Sequence, residues 1–510
     1  MTDGDRSTED LEQELLDERS QRVAAERRNA ELTEAVATWR RRAEERKERI
    51  ERLEAEHGGL LRRWFGTGRI ANEGTVTAPP AARGSEAMAV PGLRATRVAG
   101  LVADPGMIAA LRSMDLRTLS GRESVDDADL VVVEPAAFQA GRDRDALVDL
   151  LTGDLRPPIV VWGDDIGLAA KLGASAVHLP PSFDPATNSP ASDWLVDAPP
   201  LVADPSRIAR PDAALVQHAA GGGPVVHEDD PLTDPTRRSM ASAVARRWAY
   251  RNHAPWVRGE QLLTAAGVDT FHPWPTATAV LVSNKPELLV DALHGLAGQN
   301  YPRLSVVVGL HGAGDAPAVE AMARDLGIAD VLVLFVSVEA SLGAALNRSI
   351  DAAGGDILLK IDDDDHYGPA YVEDAVHALI YSGAPIVGKA AQYTYFADRD
   401  STVLRRAGTE ETPITGMPTG ASLAFRRSVW EMTRFPHRAR QVDVHFVNGA
   451  RLAGAEVYTS SRWEFRYYRR AAGHTWVAAT DTLMAGSEPA FGGDHPGRTE
   501  ARGWPIDDDR

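Results

Sequence analysis

The chain is 510 residues long, beyond the ~150 residues typical of one domain, and 44% of it is AVILMFWYC against 25% DEKR, so several globular units are expected and neither a fibre nor a wholly disordered chain. Its 55 Lys and Arg against 73 Asp and Glu leave a net charge of −18, which opposes nucleic acid or an anionic membrane as a nonspecific partner while leaving room for a local basic patch. With no cysteine there are no disulfides, thiolate metal sites or thiol nucleophiles. No apolar run approaches the ~20 residues that span a bilayer, and the N-terminus lacks the basic and apolar regions of a secretory signal. A cytoplasmic protein is the expectation, and five lysines against 50 arginines suit a high-GC bacterial genome.

From Leu11 to Leu60 a register of alternating four- and three-residue steps runs through Leu11, Leu15, Leu32, Val36, Trp39, Ile50, Leu53 and Leu60 without proline or glycine before Gly58. That is the period of a coiled coil. Glu18, Arg22, Asn29 and Arg46 weaken its seam, so residues 1–65 are read as a helix that either self-associates into a homo-oligomer or, as a solvated helix, folds back on the body or frays. Gly, Pro, Ala and Thr dominate 66–92, a flexible linker by composition.

Residues 93–268 change to an α/β pattern. Apolar runs at Val98–Val102, Leu130–Val133, Ile159–Trp162 and Ala176–Leu179 alternate with helix-compatible stretches such as Met107–Met114 and Arg144–Leu151, which predicts a mostly parallel, Rossmann-like sheet. A single helix is predicted over Thr236–Ala266. No Gly-x-Gly-x-x-Gly or P-loop pattern is present, so dinucleotide and P-loop readings are disfavoured. Glu134 and His178 are read as structural.

A second α/β unit, 269–485, starts with a strand at Ala277–Ser283 and continues with strands at Leu304–Leu310, Val331–Val338 and Ile357–Ile361. Residues 486–510 are read as a polar tail. Directly after Ile361 come Asp362, Asp363, Asp364 and Asp365. In an extended run Asp362 and Asp364 share one side, at the strand end where α/β folds bind ligands. Carboxylates gathered there repel unless a hard cation such as Mg²⁺ or Mn²⁺ joins them, leaving positions for phosphate oxygens. The bland alternative is a solvated acidic turn. Aspartates after a strand also suit an Asp-dependent phosphohydrolase, but His366 replaces the expected Thr and two βα units come first.

From about Thr276 to Trp476 the sequence resembles an inverting family 2 glycosyltransferase of the GT-A fold. The resemblance rests on Val282–Leu289, the Gln299-Asn300-Tyr301-Pro302 turn, Leu342 to Asn347, Gly354-Gly355-Asp356 with the strand into the tetra-Asp run, Tyr367-Gly368-Pro369, and Gly420 to Arg427. It implies a nucleotide-sugar donor and a glycan or other hydroxyl acceptor, in cell-surface glycan synthesis. It implies that Asp362 and Asp364 form an Asp-x-Asp pair that contacts the ribose and holds Mn²⁺ or Mg²⁺, and that Ser283, Asn284, His311, Asn347 and Asp363 line the donor site. His311 stands where the family carries an aspartate. Lys360 is read as aimed away from Asp362, either a phosphate contact or a structural lysine. In Gln441-Val442-Asp443-Val444-His445-Phe446 the second member of the family's acidic pair is present, so Asp443 is the candidate base and His445 the alternative. Were that segment helical, only one of the two would face the site. His474 is a further metal or diphosphate candidate, and Arg469 and Arg470 a phosphate clamp or an exposed basic face. Residues 237–263 weakly resemble the end of spore-maturation-type domains with a GT-B-like Rossmann half. With Val442 and His311 departing from the pattern, a noncatalytic sugar- or nucleotide-binding scaffold is the competing reading.

Overall fold

The computed structural model describes residues 201–226, 234–267, 274–470 and 480–502, together with short strands and scattered positions between 97 and 200. The expected coiled coil, the linker, His474, Glu134 and His178 lie outside the described residues. All described residues belong to one compact unit, 82–510.

The first sheet is built from β1 (Arg97–Leu101), β2 (Asp115–Thr118), β3 (Leu130–Val133), β4 (Ile159–Trp162) and β5 (Ser175–Val177), all parallel in the order β2-β1-β3-β4-β5. Every residue of β3 is buried, as expected of a central strand covered on both faces. β2 escaped the sequence reading because Asp-Leu-Arg-Thr carries too little apolar character to stand out. A small parallel pair, β6 (Leu201–Val202) and β7 (Val225–Val226), is joined through α1 (Pro205–Ala209) and α2 (Ala213–Ala220). Asp204 and Asp212 cap these helices by accepting from the backbone N–H of Arg207 and Leu215.

The long helix predicted over Thr236–Ala266 is two helices, α3 (Pro235–His253) and α4 (Pro255–Ala265), hinged at Ala254. Pro255 has no N–H to extend α3 and pre-sets the first turn of α4.

The larger sheet uses β8 (Ala277–Ser283), β9 (Leu304–His311), β10 (Val331–Val336) and β11 (Ile357–Ile361) as a parallel core, crossed over by α5 (Leu289–Ala297), α6 (Ala316–Asp325) and α7 (Leu342–Asp351). After β12 (His366–Tyr367) and α8 (Tyr371–Ser382), the chain adds β13 (Ile386–Gly388), β14 (Gln392–Phe396), β15 (Ser401–Arg405), β16 (Thr412–Pro413), β17 (Ala424–Arg426), α9 (Arg427–Met432), α10 (Val442–Leu452), β18 (Val457–Thr459), β19 (Phe465–Arg469), α11 (Thr480–Met484) and β20 (Glu488–Gly492). The order of this sheet is β10-β9-β8-β11-β17-β13-β18-β16, with β17 antiparallel to β11. A second, mixed sheet runs β12-β19-β14-β15-β20.

β20 corrects the reading of 486–510 as a polar tail. Phe491 faces Tyr393 at 6.1 Å between ring centroids, and Ala501 is buried with its carbonyl accepting from Arg247. An edge strand next to β15 tolerates Pro489, whose missing N–H costs nothing on the open side.

Helix α3 is fastened to the larger sheet's surroundings by charge. Arg246 meets Glu411 at 2.8 Å, and Glu411 also accepts from the Tyr381 and Tyr458 hydroxyls. Arg247 grips Asp374 with two nitrogens, at 3.0 and 2.8 Å, and reaches Glu464 at 3.0 Å. These guanidiniums are almost fully buried, and their desolvation is offset by the forked, bidentate grip of Arg247 on Asp374 and by the contacts of Arg246 with Glu411 and the Ser461 hydroxyl. Arg246 and Arg247 thus serve to join 235–253 to the rest. Among the described residues no helix is long and apolar enough to cross a membrane.

Candidate functional site

β11 reads Ile-Leu-Leu-Lys-Ile and is buried throughout, Lys360 included. A lysine in a central strand is tolerable only where carboxylates meet its ammonium. Lys360 Nζ contacts Asp362 and lies 3.5 Å from Asp443 Oδ1. Residues two apart on a strand share a face, so Lys360 points to the same side as Asp362, opposite to the expectation. Burial alone would lower its pKa; the carboxylates of Asp362 and Asp443 outweigh that and hold it well above the usual lysine range.

The aspartate run is not extended. A turn begins at Asp363, and the four carboxylates fan out to four sets of partners. Asp362 takes Lys360. Asp363 accepts from the Ser283 hydroxyl at the end of β8, and its pKa is raised chiefly by burial. Asp364 takes Arg470 at 3.0 Å, with Lys285 at 3.8 Å. Asp365 turns inward, one oxygen accepting the Tyr468 N–H at 2.8 Å and the other buried with no hydrogen-bond partner; burial and the neighbouring carboxylates push its pKa well up. The cause of the fan is mutual repulsion, relieved by giving each carboxylate its own donor. Sequence alternation missed this because it assumes the strand continues.

Tyr367 fixes the base of the run. Its hydroxyl accepts from the Asp362 backbone N–H at 2.9 Å and donates to the Ala421 carbonyl at 2.8 Å. The segment carrying Asp443 is helical: α10 starts at Val442, with Gln441 in the left-handed region at φ 57°. Asp443 therefore faces Lys360, whereas His445 turns to the exposed Arg438, 2.8 Å away. Burial raises the pKa of Asp443, and the Lys360 ammonium partly offsets the rise. Gly420 closes the other side, since a Cβ there would sit 2.3 Å from Asp443 Oδ2.

Of the expected donor contacts, Ser283 and Asp363 stand together at the edge, and Asn284 is exposed beside them. His311 is half-buried at the end of β9, its Nε2 bonded to the Ala340 carbonyl at 2.7 Å. Asn347 is not at the site. It lies in the core between α7 and the segment that precedes α10, donating to the Phe435 carbonyl and accepting from Trp430 Nε1 and the Phe435 N–H. A helix position this deeply buried is bound to structural use, which corrects its reading as a donor contact. Arg470 lies on Asp364 and over the Tyr468 ring, 5.3 Å from its centroid, while Arg469 is buried at the end of β19. Lys285, Tyr367 and Gly420 are the site residues the sequence reading left without a role. Lys285 carried a signal, as one of three lysines in this unit and two residues beyond the end of β8.

For a divalent cation, the described residues hold no group of three His, Cys, Asp or Glu that converge on one point. Two aspartate side chains at an open strand end, with an orphaned carboxylate oxygen on Asp365 behind them, still suit a hard cation whose other positions are filled by phosphate oxygens. Such an ion would compete with Arg470 and Lys285 for Asp364.

No protein-family model and no curated protein matches the chain. Among solved structures, S. aureus TarS 1-349 in complex with UDP-GlcNAc is similar at 15% identity and a TM-score of 0.34, over 41% of this chain and 64% of that one. Mannosyltransferase PcManGT from Pyrobaculum calidifontis, in complex with GDP-Man and Mn²⁺, is similar at 15% identity and a TM-score of 0.32, over 47% of this chain and 69% of that one. The chain thus spans less than two thirds of the TarS fragment's length.

Proposed function

We propose that this protein transfers a glycosyl group from a nucleoside diphosphate donor to a hydroxyl acceptor with inversion, in the manner of family 2 glycosyltransferases. The observation that carries the reading is the meeting of Asp443, from a helix, with the Lys360–Asp362 pair at the end of β11. A carboxylate that is half-buried, raised in pKa and held beside a strand-end acidic cluster is the group expected to take a proton from an attacking hydroxyl.

In this reading Asp443 accepts the acceptor's hydroxyl proton as its oxygen bonds to the sugar's anomeric carbon. The bond from that carbon to the diphosphate oxygen breaks on the opposite face, and the nucleoside diphosphate leaves with the electron pair. Lys285 and Arg470, both within ion-pair reach of Asp364, stand where that growing negative charge needs compensation. Lys360 keeps Asp362 and Asp443 from repelling each other. Asp362 and Asp364 would hold Mg²⁺ or Mn²⁺, which when bound supplies further charge neutralisation at the diphosphate. Ser283 and Asp363 offer a hydroxyl and a carboxylate to the nucleoside.

Thermal stabilisation by a panel of nucleotide sugars with Mn²⁺ tests the donor, because a ligand that binds only the folded state raises the melting temperature by mass action. Slow, metal-dependent hydrolysis of the stabilising donor is the expected companion. Absence of stabilisation and of hydrolysis across uridine, guanosine, thymidine, adenosine and cytidine diphosphate sugars would overturn the reading.

A further inference from the structure

Helix α10 buries Val442, Phe446, Val447 and Ala450 and leaves Val444, Asn448 and Leu452 on its outer side, at helical spacing. Val444 is 40% exposed and Leu452 82%. The segment between α9 and α10 runs beside the flank of α10 that borders this outer side. Thr433 packs so closely on Gly449 that a Cβ there would sit 2.9 Å from its hydroxyl, and Arg438 reaches His445 at 2.8 Å. Met432, 50% exposed, ends α9 directly before that segment, which carries the exposed guanidiniums of Arg434, Arg438 and Arg440. Arg434 is paired with Asp351, whereas Arg438 and Arg440 make no ion pair among the described residues. One face thus interleaves bare apolar side chains with uncompensated cations, on a chain whose net charge is −18.

We infer that this face docks on the surface of an anionic phospholipid bilayer. Its cations complement the headgroups, each contributing roughly fivefold in affinity near such a surface. Met432, Val444 and Leu452 gain only by leaving water, which a bilayer boundary permits and a dissolved polyanion does not. A nucleic-acid strand would instead call for exposed aromatic rings, and the phenylalanines here, Phe435 and Phe446, are buried. The inference stands apart from the glycosyl-transfer reading, because it uses no residue of the site.

The test is co-sedimentation of the full chain with phosphatidylcholine vesicles, with and without phosphatidylglycerol, at low and high salt. Binding only to the anionic vesicles, weakened by salt, is expected. The double variant Arg438→Glu/Arg440→Glu should bind at least about tenfold more weakly, and Met432→Ser/Leu452→Ser severalfold more weakly, with melting temperatures near wild type to show that both remain folded. Equal sedimentation of wild type and both variants would overturn the inference. So would loss of binding in the arginine variant alone combined with retention of soluble polyphosphate by the wild type, since that pattern assigns the face to a polyanion in solution.

Discussion

The Lys360 ammonium lies 3.5 Å from the Asp443 carboxylate although the two belong to a buried strand and to a helix that begins about 80 residues later. Because the same ammonium contacts Asp362, it ties the proposed base to the strand-end cluster. Asp443→Asn keeps the shape and loses the proton acceptor. Turnover should fall by ~10²–10⁴-fold, with donor affinity close to wild type. Near-full turnover in that variant would remove Asp443 from the role of base.

Gly420 offers a way to disturb Asp443 without changing its chemistry. The 2.3 Å approach of a Cβ to Asp443 Oδ2 means that Gly420→Ala must displace the carboxylate. Turnover should drop by ~10²-fold, the scale of an ångström-sized misplacement, while the carboxylate remains present. Steady-state kinetics beside a thermal melt checks this: the expected outcome is lower kcat with a modest change in melting temperature. Unchanged kcat would mean that the position of Asp443 does not matter.

How far the sequence carried the structure varies with the range of the interaction. The apolar run of β11 followed by carboxylates announced a strand end, since both signals are local. The fate of each aspartate was not local. Asp363 is placed by Ser283, 80 residues away, and Asp365 by the backbone of Tyr468, 103 residues away. Arg246 and Arg247 show the same limit, for their carboxylates lie 165 and 127 residues further on. β20 was invisible because five residues with a proline and a glycine become a strand only beside β15. Lys360 was legible in principle, as its two-residue separation from Asp362 already puts both on one face.

Metal use can be read without turnover. Asp364 is shared by Arg470 and Lys285, and a cation bridging it to a diphosphate would have to compete with both. Asp364→Ala should abolish any Mn²⁺-dependent part of donor binding, measured by calorimetry with and without EDTA, and leave the fold intact because the residue sits at a strand end. Donor affinity that is the same in wild type with EDTA and with Mn²⁺ would show that the side-chain cations suffice.

Acid destabilises the fold through His377. This residue of α8 is 1% exposed, with its ring 5.1 Å from that of Tyr250 on α3 and 5.4 Å from that of Trp274. Neither ring nitrogen has a hydrogen-bond partner. Burial holds its pKa down to about 4 from an ordinary 6.5; Glu373 and Asp374 oppose that drop, and Arg251 and Arg246 reinforce it. Between those two values the unfolded chain takes up a proton that the folded protein refuses, so stability falls as pH falls through this window and is flat, for this group, above it. The full loss is about 3 kcal/mol once pH is below the folded value. His377→Phe removes the titration and the two unsatisfied nitrogens. Its stability relative to wild type should therefore increase steadily as pH is lowered from 6.5 to 4, whatever offset the larger ring introduces at neutral pH. Urea melts of both proteins across that range measure it, and parallel curves would show that His377 is protonated as easily in the folded protein as in the unfolded chain.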